Sequence, residues 1–75
     1  SVTLSNRECE IIGLIAEGKS YTRIADQLHL SAHTVVTHRK NIMQKLGVNS
    51  TAALVLYAVK NGMASPNHFL FNEGA

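Results

Sequence analysis

The run from Ser31 to Gly47 limits the fold more than any other part of the chain. It opens on a residue suited to capping a helix and closes on one suited to ending it. At ~100° per residue, Ile42 and Leu46 fall within about 20° of Val35. These three form an inward stripe, with Met43 on its shoulder. The opposite side collects His33, Thr37, Lys40 and Gln44, flanked by Val36 and Asn41. No acid lies on the run, although exposed helices favour mixed Glu/Lys pairs. A helix of this kind is held by one side and offers the other.

The rest of the chain supplies what could hold it. Ser5 with Glu8 three residues on has the form of a capping box, and Leu4 with Cys9 the form of a hydrophobic staple. Ile11, Ile12, Leu14, Ile15 and Ala16 make a broad apolar stripe that Gly18 should end. Ser20 can cap a second helix carrying Ile24, Ala25 and Leu28 on one side, and His29-Leu30 turns the chain into Ser31. After Gly47, Asn49-Ser50 starts a fourth helix running to about Asn61-Gly62. Its body, Ala52 to Val59, is apolar nearly all round, so it must be covered on more than one side. One side can meet the domain's own core, and the other is a candidate dimer face. The expected fold is all-α: one four-helix domain over residues 1–62, followed by a flexible tail, 63–75, in which Phe69 or Phe71 could dock.

Composition narrows the function. A chain of 75 residues that is 45% hydrophobic and 16% charged folds as one small domain. A single cysteine excludes an internal disulfide and suits a reducing cytoplasm. The apolar stretch Ala52 to Val59 is too short to cross a bilayer, so no membrane role is expected. The chain begins almost at its first helix signal, as a piece of a longer protein would. The net charge is only +2, but Glu8, Glu10, Glu17 and Asp26 all precede a stretch holding Arg39, Lys40, Lys45, Lys60 and all four histidines. That asymmetry points to a polyanion. A short helix, a tight turn and a longer helix with a basic, hydrogen-bonding outer side present that helix to the major groove of double-stranded DNA. Lys and Gln suit base edges, and Thr and Val suit the thymine methyl. Arg39 and Lys45, off the centre of this face, suit phosphates, as do Ser20, Ser31, Thr34 and the helix N-terminus. His38 is expected half-buried and hydrogen-bonded beneath this face.

Other chemistries find little support. There is no Gly-rich phosphate loop and no acid pair, and Cys9 already has a packing role, so no enzyme is expected. Cys9, His29, His33 and His38 lack the close pairs of a structural zinc site, so neither a metal nor a cofactor is expected.

The ordered series of short motifs resembles the LuxR/FixJ/NarL-type helix-turn-helix family of bacterial regulators. The matching residues are Leu4-Ser5-x-Arg7-Glu8-x-Glu10, Leu14-Ile15-Ala16-x-Gly18-x-Ser20, Ile24-Ala25-x-x-Leu28, Leu30-Ser31-x-x-Thr34-Val35-x-Thr37-His38 and Asn41-Ile42-x-x-Lys45-Leu46-Gly47-Val48. The resemblance implies a winged-helix-like three-helical core plus a fourth, dimerising helix. It implies base contacts at Val36, Thr37 and Lys40, and pairing into a homodimer through Ala52, Val55, Leu56 and Val59. It also implies a response regulator's output domain, with an N-terminal receiver or sensor domain and RNA polymerase as a further partner. Three positions depart from the family's pattern. Val36 stands where a Lys or Arg is common, Arg23 where the second helix usually has an acid, and Thr51 where an Arg is common. A sigma-factor region 4 domain, or a protein-interaction module built on the fourth helix, are the alternative readings.

Overall fold

The computed structural model describes residues 3–64. Four helices follow in order: α1 (Asn6–Ala16), α2 (Tyr21–Leu28), α3 (Ala32–Leu46) and α4 (Thr51–Lys60). Each begins at a serine. Ser5, Ser20, Ser31 and Ser50 sit in extended backbone, and each hydroxyl accepts the N–H three residues on. That contact satisfies one of the donors a helix start leaves unpaired. On α1 the box is reciprocal: Ser5 N–H also donates to Glu8 Oε1 at 2.9 Å. On α2 it is one-sided, because Arg23 occupies the position an acid would need.

The helix ends share one device as well. At the end of α3, Gly47 takes φ 68°, its N–H donates to Gln44 O, and Val48 N–H donates to Met43 O. The end of α2 repeats this with a histidine. His29 stands at φ 59°, ψ 44°, and Leu30 N–H reaches Ala25 O at 2.8 Å. His29 is the one described residue other than glycine with positive φ. This left-handed turn is what lets α3 start immediately after α2.

α1 is the floor of the domain. α3 and α4 both pack on it, and α2 packs chiefly on α3. The core contains Ile11, Ile12, Ile15, Ile24, Val35, Ile42, Leu54 and Ala58. The expected stripe on α3 is shifted by one shoulder. Val35, Ile42 and Met43 are buried, whereas Leu46, in the last turn, is only half-buried against the core. Removing Ile42 beyond Cβ would cost about 2–5 kcal/mol, a large share of a small domain's roughly 5–15 kcal/mol.

On α4 the structure corrects one expectation. Val55, which the resemblance implies for the dimer face, is 9% exposed and belongs to the protomer's own core. It lies about 100° from Leu56 on the wheel, on the side that turns towards α1. Ala52 and Leu56 are exposed, Leu56 at 63%, and Val59 is half-buried. Beyond Gly62, Met63 N–H donates to Ala58 O at 2.7 Å, and Met63 and Ala64 pack partly against the core. Ordered packing therefore continues two residues past the expected boundary at 62. The expectations for the remaining tail, including Phe69 and Phe71, fall outside the described residues. Among the described residues no single helix is long and apolar enough to cross a membrane.

The left-handed His29 yields a test. A non-glycine residue there costs about 1–2 kcal/mol of strain, of which glycine's extra chain entropy returns part. His29→Gly should raise the urea midpoint by the equivalent of about 0.5–1 kcal/mol. A lower midpoint would show that the imidazole itself stabilises the turn.

Candidate nucleic-acid interface

The outward side of α3 is open along its length. His33, Val36, Thr37, Lys40, Asn41 and Gln44 are all exposed, Val36 at 41%. Thr37 Oγ donates to His33 O at 3.1 Å, so its hydroxyl hydrogen is used within the helix while its oxygen can still accept. The cap residues are partly spent. Ser31 Oγ accepts Thr34 N–H and lies 2.8 Å from Thr34 Oγ1, and Ser20 Oγ accepts Arg23 N–H. The N–H groups of Ala32 and His33, in the first turn of α3, remain as donors at the positive end of the helix. The structure therefore gathers His33, Val36, Thr37, Lys40 and Gln44 on one surface, with Ser31 and Thr34 at its end and Ser20 on the neighbouring helix.

Arg39 and Lys45 are placed differently from the sequence expectation. Lys45 Nζ lies 2.9 Å from both oxygens of Glu8, on α1. Glu8 is 6% exposed, and its carboxylate is compensated from two sides: it accepts the Ser5 N–H and lies against Lys45 Nζ. The Ser5 hydrogen bond first, and Lys45 second, hold the Glu8 carboxyl below its usual value of 4.5, against the opposing effect of burial. Arg39 is half-buried, and its Nη2 donates to Thr51 Oγ1 at the start of α4, 2.8 Å away. Both cations expected at phosphates are thus engaged inside the protomer.

Sequence reasoning missed these partners for a physical reason. Glu8 and Lys45 are 37 residues apart and Arg39 and Thr51 are 12 apart, so no helical wheel relates them. One signal was available: Arg39 lies only about 40° from Val35, on the inward half of α3. His38 is half-buried as expected, but its ring has no hydrogen bond among the described residues. It lines an open groove of about 470 Å³ with Ser5, Glu8, Asn41, Gln44 and Lys45, just below the outward face.

Two helices joined by a tight left-handed turn, the second with an acid-free outer face and a fourth helix behind, define a helix-turn-helix DNA-binding domain of a transcriptional regulator. The chain belongs to the luxR family: residues 2–58 match the family described as bacterial regulatory proteins, luxR family. It is similar to the transcriptional regulatory protein MctR of Rhizobium johnstonii, with 45% identity over 62 residues, covering 83% of this chain and 29% of that protein. It is similar to the uncharacterized response regulatory protein YgeK of Escherichia coli K12, with 50% identity over 62 residues, covering 83% of this chain and 42% of that protein. Among solved structures it resembles the transcription factor GerE, with a TM-score of 0.75 and 36% identity over 84% of this chain and 94% of that one. The chain spans less than half the length of the two curated relatives.

The Glu8 environment sets a pH dependence. A carboxylate whose folded pKa is lowered contributes stability that is complete above its unfolded pKa and is lost as pH falls through the folded value. The melting temperature should therefore drop on acidification below about pH 4.5, the usual value of this group. Glu8→Gln should lower the neutral-pH midpoint and flatten the acid limb, as read by circular dichroism melts. An acid limb unchanged in Glu8→Gln would remove Glu8 as its source.

Proposed function

We propose that this domain binds double-stranded DNA sequence-specifically as a two-fold dimer, with α3 in the major groove of each half-site. The observation that carries this reading is the outward face of α3. Val36, Thr37, Lys40, Gln44 and His33 are exposed together with no acid among them. Lys40 and Gln44 supply hydrogen bonds to base edges, and Val36 and the Thr37 methyl supply apolar contact to thymine. Phosphates are held by the N–H groups opening α3 and by Ser20, Ser31 and Thr34 around the two helix starts. Arg39 and Lys45 support this face from behind.

Few charges face the DNA, so one protomer makes a small number of phosphate contacts and binds weakly. Pairing two protomers compensates for this. The strip of exposed Ala52 and Leu56 with half-buried Val59 on α4 is the self-complementary surface we assign to pairing. In the full-length regulator an N-terminal receiver or sensor domain would control access to that strip, RNA polymerase would be the downstream partner, and the compartment would be the cytoplasm. The likeness to response regulatory proteins supports this arrangement.

Two substitutions test the two surfaces separately. Lys40→Ala should weaken binding to a selected site by about 1–3 kcal/mol and relax preference at one base position. An unchanged mobility shift would count against α3 as the reading helix. Leu56→Asp should leave the helical spectrum intact, because Leu56 touches little of its own protomer, while abolishing dimers in sedimentation. It should also reduce binding to a two-half-site duplex far more than to a single half-site. A fully dimeric Leu56→Asp protein would place pairing elsewhere.

A further inference from the structure

We infer that Arg39 and Thr51 form a clasp that fixes the angle between the reading helix and the pairing helix, and so sets the half-site spacing the dimer accepts. The inference rests on the assignments of α3 and α4 made above. α3 and α4 both lean on α1 and scarcely pack on each other. They are joined by the short turn from Gly47 to Ser50, across which the chain bends by 68°. Apart from that turn, the Nη2 to Oγ1 hydrogen bond of 2.8 Å is the one side-chain hydrogen bond between α3 and α4 among the described residues.

The placement of Arg39 fits a positioning role better than a phosphate contact. Its Nε is covered from solvent and has no hydrogen-bond partner. The Nε side of the guanidinium is therefore drawn into the seam between the helices, with Nη2 held on Thr51. Threonine at 51 supplies a neutral acceptor there, at the first residue of α4. A clasp of this kind has a geometric output. In a dimer joined along α4, a change in the angle between α4 and α3 moves both reading helices about the two-fold axis, and their separation must match the helical repeat of DNA.

The test uses the 75-residue chain and two readouts. Residual dipolar couplings report the α3–α4 angle without DNA. Thr51→Val should shift or broaden that angle, and Thr51→Ser, which keeps the hydroxyl, should restore it. An unchanged angle in Thr51→Val overturns the clasp. For function, the selected half-site is duplicated with spacers varied one base pair at a time. The wild type should prefer one spacing by about tenfold or more, and Thr51→Val and Arg39→Gln should each flatten that preference to within about threefold without altering the salt slope. If instead Arg39→Gln weakens every spacing equally and lowers the salt slope by about one, while Thr51→Val has no effect, Arg39 is a phosphate contact and the proposal fails. A wild type with no spacing preference would sink the dimeric reading itself, and the dipolar couplings would still decide the clasp.

Discussion

Helices of eight to fifteen residues, the range found here, are marginal in water on their own. Everything else in the domain depends on making such short segments begin and end at fixed residues. The four serine caps and the left-handed residues at the helix ends do this. They satisfy backbone groups that would otherwise compete for water, and they set where one helix hands over to the next. The sharpest case is the turn at His29, where two residues separate the end of α2 from the cap of α3. The angle at which α3 leaves the body of the domain follows from that turn and from Val35 and Ile42 anchoring in the core.

Local chemistry of this kind was legible in the sequence. Ser5 with Glu8, Gly18, Ser20, Ser31 and Gly47 announced the helix limits. The 3.6-residue period separated Val35 and Ile42 from Thr37 and Lys40, because burial and exposure on one helix depend only on position around its axis. What the wheel could not show was how neighbouring helices crowd one shoulder more than the other. That crowding buries Met43 more than Leu46 and takes Val55 into the core. Contacts between distant parts of the chain were equally hidden. Lys45 and Arg39 look like free cations until α1 and α4 are in place beside them.

The two internal cation contacts differ in character. Glu8 and Lys45 join a nearly covered carboxylate to a half-exposed ammonium, and the carboxylate already accepts from the α1 cap. Removing Lys45 leaves the covered Glu8 charge without its complement, which is costly. This pair ties the start of α1 to the last turn of α3, so the capping box of one helix steadies the end of another. Arg39 with Thr51 is a charged donor on a neutral acceptor. It offers direction more than attraction, which suits a contact that sets an angle.

The outward residues Val36, Lys40 and Gln44 are exposed and lie outside the protomer's core. Substitutions at such positions usually change folding stability by less than about 0.5 kcal/mol. The surface proposed to choose a DNA sequence can therefore be rewritten almost independently of the surface that keeps the domain folded. A lineage carrying this domain could exchange one set of target sites for another through viable single steps.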